Sequence, residues 1–292
     1  MFVLMQHRPL MIAERHNASR AAYFIYLYLK KNPAHHIDFC LFEGATTPQQ
    51  HLDQCQNAFD LYHYYISAFL NTTNKKQIYA YLQYDLWHEK SDFTEYAICH
   101  QPIDSKKHPH GFGQIRNLVA HFLIYHQLER YQTIWIAIDD KRKIIKKIAK
   151  QKVIDGTAYL YKKHRYVGNA STIGQKTLLE AAIIRSKFMS DHILNYAHKG
   201  RVLCLVGNRH AYDITCYTPD LVDVFGYHPH NDADHALYHY NVTQAQLSLT
   251  KLDDNQEISP YCRKVSLDNT KRLQSSFDLK SDYLSFFYKK LR

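Results

Sequence analysis

Residues 201–210 read RVLCLVGNRH. Arg201–Val206 is an apolar run of strand length, rich in Val and Leu, and it stops at Gly207-Asn208-Arg209-His210. A run without polar alternation predicts a parallel strand covered on both faces. Working outward, three more segments have the same form. Pro9–Ala13 (PLMIA) leads into Glu14-Arg15-His16, Ile37–Phe42 (IDFCLF) into Glu43-Gly44, and Thr133–Ile138 (TIWIAI) into Asp139-Asp140.

Helical patterns lie between these runs. Asn17 or Ser19 is placed to cap a helix over Arg20–Lys31, which Asn32-Pro33 closes. Thr47-Pro48 opens a second helix reaching about Leu70, since Pro at a first helical turn loses no hydrogen bond. Gln114–Glu129 and Thr177–His198 are two more. Strand–helix alternation predicts an α/β fold with a mostly parallel central sheet flanked by helices. The Tyr-, His- and Lys-rich stretch after Thr72 breaks the rhythm. The expected organisation is an α/β core over residues 1–215, with a helical insertion or lid at about 72–130. A divergent C-terminal extension, 216–292, is expected to pack on the core. It contains a strand-like piece, Ala245–Leu252, and a final helix, Ser281–Leu291.

Composition bounds the class. The 292 residues are 46% hydrophobic and 22% charged, enough apolar mass for a core and too much for a disordered chain. Nine Gly and eight Pro exclude a collagen-like or low-complexity protein. The six Cys are widely spaced, with no Cys-x-x-Cys pair, which argues against a disulfide framework or a zinc ribbon. Reduced thiols, and so a cytoplasmic or other reducing compartment, are expected. No apolar run approaches the ~20 residues of a membrane span, and no signal peptide is legible at the N-terminus. Net charge is 37 − 27 = +10. The densest basic cluster, Lys141–Lys152 (KRKIIKKIAKQK), reads as the solvated face of an amphipathic helix. Without an RNA-recognition motif, zinc finger or phosphate loop, nucleic acid is not the expected partner.

The ionisable residues gather where the runs end. In open α/β sheets ligands bind beyond the carboxyl ends of the strands. Glu14, His16, Glu43, Asp139, Asp140 and His210 are therefore expected to converge on one crevice. Two imidazoles with carboxylates suit either a divalent metal or a His base oriented by a carboxylate.

The order Glu14-x-His16, Glu43, then Gly207-x-x-His210, each after an apolar strand, resembles the superfamily of erythromycin esterases, ChaN-like haem-binding proteins and TraB/Tiki proteins. Arg185-x-x-x-Met189 resembles the Arg…Met signature upstream of the second His motif in esterase-like members, and Ile134–Asp139 resembles their third strand. The resemblance covers roughly residues 9–45 and 130–215. It departs at Ala13, where the family motif has Gly. It implies hydrolysis of an ester, lactone or amide bond, with His16, Glu14, Glu43, His210 and Arg185 catalytic. Arg15 and Asp139 would bind a small-molecule or peptide substrate, and Arg15 suits an anionic one.

In the esterase-like version an imidazole takes a proton from water, a glutamate orients the ring and Arg185 stabilises negative charge. In the Tiki-like version His16, Glu43 and His210 hold a divalent metal (Mn, Zn or Co), as in a metal-dependent protease. The metal-free version is preferred, because Glu14 beside His16 resembles the esterase and ChaN motifs more. The ChaN-like alternative is a haem- or ligand-binding protein, with the tyrosines of Tyr23–Tyr28 and Tyr62–Tyr65 as stacking or ligating groups. Those aromatics, and Cys204 within its strand, otherwise read as core. His108-Pro109-His110 and His228-Pro229-His230, the latter near Asp232, Asp234 and His235, read as surface histidines.

Overall fold

The computed structural model describes residues 8–44, 46–89, 91–100, 111–139, 172–218, 221–228, 235–243 and 246–252. Lys141–Lys152, His108-Pro109-His110, Asp140, Asp232, Asp234 and Ser281–Leu291 lie outside the described residues.

Seven strands form one sheet: β1 (Leu10–Glu14), β2 (Phe39–Phe42), β3 (Ile134–Ala137), β4 (Val202–Gly207), β5 (Asp223–Tyr227), β6 (Leu237–Thr243) and β7 (Gln246–Lys251). Their spatial order is β3-β2-β4-β1-β5-β6-β7. The first five run parallel, and β6 pairs antiparallel with β5. The fold is α/β with a mostly parallel sheet, as the four apolar runs predict. The chain divides into two compact units. One contains residues 1–14, 36–53 and 128–249, and the other residues 15–35, 54–127 and 250–292.

The first unit holds the sheet and two helices, α6 (Thr172–Ala197) and α7 (Asn208–Tyr217). Alternate residues of the central strands (Met11 and Ala13, Leu41, Cys204 and Val206, Val224) join Met189 and Ile193 of α6 and Ala211 and Ile214 of α7 in one buried cluster. Burial of this apolar area is the main favourable term holding the helices on the sheet, at about 25 cal/mol per Å². Cys204 lies in it fully buried, and burial pushes its thiol far above the usual range, so it acts as a small hydrophobe.

One finding differs from the sequence expectation. β5 and β6 carry the sheet past residue 215, where the sequence alone ends the core. Their segments, DVFGY and LYHYNVT, interleave Asp, His and Gly with apolar residues and lack the continuous run that marks β1 to β4. Ala13 lies inside β1 opposite Gly226 of β5, and a Cβ on Gly226 would fall 2.1 Å from the Ala13 carbonyl oxygen. Gly226 is therefore where β5 lies closest to the β1 backbone.

The second unit contains α1 (Arg20–Lys31), most of α2 (Pro48–Leu70), α3 (Lys75–His88), α4 (Ser91–His100) and α5 (Gly111–Glu129). Within the 72–113 stretch, the described residues form α3 and α4. Tyr62, Phe93 and Phe112 pack ring on ring, with centroids about 5.5 Å apart. Within this apolar surrounding Asp85 takes two bonds from Arg116, Nε to Oδ2 at 2.7 Å and Nη2 to Oδ1 at 3.0 Å. The Tyr62 hydroxyl donates to the same carboxylate. Burying a charge is tolerated only when it is paired and hydrogen-bonded in this way.

Candidate active site

Strand order brings the expected carboxylates into one row. β3, β2, β4 and β1 are neighbours, so the residues at their carboxyl ends (Asp139, Glu43, Gly207 and Glu14) follow one another along one edge of the sheet. From β1 the chain moves to β2 on one side, and from β4 it moves to β5 on the other. Open α/β sheets bind ligands beyond the carboxyl ends of their strands, the edge these residues occupy.

Arg185 organises this edge. It projects from α6 one residue before the buried Ser186, and its guanidinium grips Asp139 with two bonds, Nε to Oδ1 at 2.9 Å and Nη2 to Oδ2 at 2.6 Å. Nη2 also donates to Glu43 Oε1 at 2.9 Å. The other Glu43 oxygen, Oε2, accepts the Gly207 backbone N–H at 2.8 Å. Burial alone would lower the Arg185 pKa, but the two carboxylates hold it raised, and the guanidinium stays charged.

His210 enters from the third residue of α7. Its Nε2 lies 3.5 Å from Glu43 Oε1, and its Nδ1 lies 2.7 Å from Ser186 Oγ. Ser186 in turn donates to Asp213 Oδ2 at 2.9 Å. His210 and Asp213 are three residues apart, on one face of α7. Burial lowers the His210 pKa below the usual value. Glu43, Asp139 and Asp213 pull it upward and Arg185 pushes it down, but desolvation is the largest effect.

Of the sequence-predicted residues, Glu43, Asp139, Arg185 and His210 are joined in one network. Glu14 is buried at the end of β1, opposite Gly207 in register. Arg15 and His16 belong to the second unit. Arg15 is buried, whereas His16 is exposed in a turn closed by the Ala18 N–H on the Arg15 carbonyl at 3.1 Å. Ser186 and Asp213 are absent from the sequence expectation. The available signals were their spacings, Ser186 beside Arg185 and Asp213 one turn after His210, and neither spacing has chemical meaning until the helices are packed.

The donor chemistry also bears on cofactors. A divalent ion on Glu43 would have to share that carboxylate with the Arg185 guanidinium, which already supplies positive charge between Glu43 and Asp139. The residues at this edge therefore do not suit the Tiki-like metal set. Haem ligation by the aromatic segments fits no better. Tyr23 and Tyr62 are buried, Tyr62 is bonded to Asp85, and burial pushes both phenols far above their usual range, away from a ligating phenolate. Elsewhere, Cys55 of α2 and His121 of α5 are buried with ligand atoms within 4.8 Å of each other. No described helix is long and apolar enough to cross a membrane. Comparison with protein-family models, with curated proteins and with solved structures finds no match for the chain.

Proposed function

We propose that this chain is a metal-independent hydrolase of an ester, lactone or amide bond, with the His210–Glu43 pair at its centre. The observation that carries this reading is His210 itself: a buried imidazole at the carboxyl edge of a parallel sheet, its Nε2 facing a carboxylate at 3.5 Å without a normal hydrogen bond. Neutral His210 accepts a proton from water as that water attacks the carbonyl carbon. The proton then passes from Nε2 to the leaving oxygen or nitrogen as the acyl bond breaks. General base–acid catalysis of this kind is worth ~10²–10⁴ in rate. Glu43 favours the imidazolium formed in between, and Arg185 sets the position of Glu43 through the bond that also clamps Asp139. The resemblance to the erythromycin esterase group supports the same chemistry through Gly207-x-x-His210, Glu43 and Arg185.

The test is a panel of nitrophenyl esters, lactones and aryl amides, assayed with and without EDTA, on the wild type and His210→Gln. Turnover that survives EDTA and falls by about 10² or more in His210→Gln is expected. Equal turnover in the two proteins, or none on any member of the panel, overturns the reading. A Soret band on adding haemin would replace it with the ChaN-like alternative.

A further inference from the structure

The bonds on the far side of the His210 ring determine which nitrogen carries the proton. Ser186 Oγ is 2.7 Å from His210 Nδ1 and 2.9 Å from Asp213 Oδ2, both hydrogen-bond lengths. A serine hydroxyl has one proton, and a carboxylate can only accept. The Ser186 proton therefore goes to Asp213, and the Nδ1 contact must be an N–H donated to Ser186. In the opposite arrangement Ser186 donates to Nδ1, and two lone-pair-bearing oxygens face each other at 2.9 Å. The other side of the ring agrees. Nε2 stands 3.5 Å from Glu43 Oε1, too far for the charge-assisted bond an Nε2–H would make to a carboxylate.

We infer that Ser186 and Asp213 are positioning residues, which hold His210 as the Nδ1–H tautomer so that its Nε2 lone pair is the basic site facing Glu43. The use of that lone pair rests on the hydrolase reading above; the tautomer itself does not. During turnover Nε2 takes a proton from water and returns it to the leaving group, while Nδ1–H stays on Ser186 throughout. No covalent bond forms to Ser186. It is 0% exposed, closed off from substrate, and so is not placed as a nucleophile. Asp213, acting through the hydroxyl, plays the part that a carboxylate bonded directly to the ring plays in a Ser-His-Asp triad. The charged groups around the ring are Glu43, Asp139, Arg185 and Asp213.

The experiment is a long-range ¹H–¹⁵N correlation spectrum of full-length protein labelled with ¹⁵N-histidine, at a pH where His210 is neutral. The His210 signals are assigned by their loss in His210→Gln. A pyrrole-type Nδ1 and a pyridine-type Nε2 are expected in the wild type and in Ser186→Thr, which keeps the hydroxyl. Ser186→Ala and Asp213→Asn should shift His210 toward the Nε2–H form, with that N–H directed at Glu43. Wild-type His210 found as Nε2–H overturns the inference whatever the variants do, and so does a tautomer unchanged in Ser186→Ala. Because no substrate is present, these outcomes are separate from the ester panel. An Nδ1–H ring in a chain that hydrolyses nothing leaves this inference standing and removes the hydrolase.

Discussion

His210 and Asp85 are both buried beside charge, and their partners make them behave differently. His210 is held neutral mainly by desolvation, and a general base works in its neutral form. On the proposed hydrolase reading, activity should therefore rise with pH through a midpoint below the ordinary imidazole value of ~6.5 and stay flat above it. Glu43→Gln removes a carboxylate that favours imidazolium, so it should move that midpoint lower still. The pH profile of kcat/KM checks both, and a midpoint above the ordinary value would show that the carboxylates outweigh burial. The Asp85 carboxylate sits in the core with both oxygens satisfied by Arg116 and Tyr62. Arg116→Met leaves that charge without its cation and should cost about 3–5 kcal/mol in urea denaturation. Tyr62→Phe removes one bond to a charged group and should cost about 1.5–3 kcal/mol.

At the scale of elements, the start of α1 shows local preference overridden by packing. Ser19 stands at the N-cap, as its residue type predicts, yet its side chain makes no capping bond. Its hydroxyl donates instead to the Leu86 carbonyl at 2.9 Å. The cap is supplied by Glu89, the residue that ends α3, whose Oε1 accepts the Ser19 N–H at 2.6 Å and the Arg20 N–H at 3.2 Å. A carboxylate also complements the positive end of the helix. Glu89→Ala should therefore cost about 1 kcal/mol, as the loss of an N-cap does, and Ser19→Ala should not reproduce a capping loss. Strand pairing offers a second test. A Cβ at Gly226 would meet the Ala13 oxygen at 2.1 Å and the Ala13 Cβ at 2.5 Å, so β1 and β5 would have to separate. Gly226→Ala should destabilise by about 1–3 kcal/mol, as overpacking does, and Ala13→Gly in the same chain should recover part of it. Thermal or urea unfolding of the single and double variants decides the point.

For the whole molecule, the net charge of +10 favours encounter with anions. KM for an anionic ester should rise with ionic strength as the Debye length falls from ~10 Å at 0.1 M toward ~3 Å at 1 M. KM for a neutral ester of the same size should stay level, and kcat for both should be unaffected. Equal salt dependence for the two esters would show that charge plays no part in their capture. The sheet supports such a site because its five parallel strands end side by side, so the residues after β3, β2, β4 and β1 line one edge.

Sequence by itself determined the class and most of the elements. Continuous apolar runs at Pro9–Ala13, Ile37–Phe42, Thr133–Ile138 and Arg201–Val206 can be buried on both faces only in a parallel sheet, so the runs and the polar residues after them were legible. The bounds of α1 and α2 were legible too, because Asn32-Pro33 and Thr47-Pro48 act on the local backbone. β5 and β6 were not, because their burial is shared with neighbours and leaves no run of its own. Tertiary structure alone decided which strand ends are adjacent, since the order β3-β2-β4-β1 appears nowhere in the linear pattern. It also decided that Arg185 bridges two carboxylates, and that Ser186 and Asp213 stand behind His210. Hydrogen bonds between residues as far apart as Glu43 and Arg185 are set by the packing of α6 and α7 on the sheet. Packing of that kind depends on shape and volume across the whole core, and no window of sequence contains it.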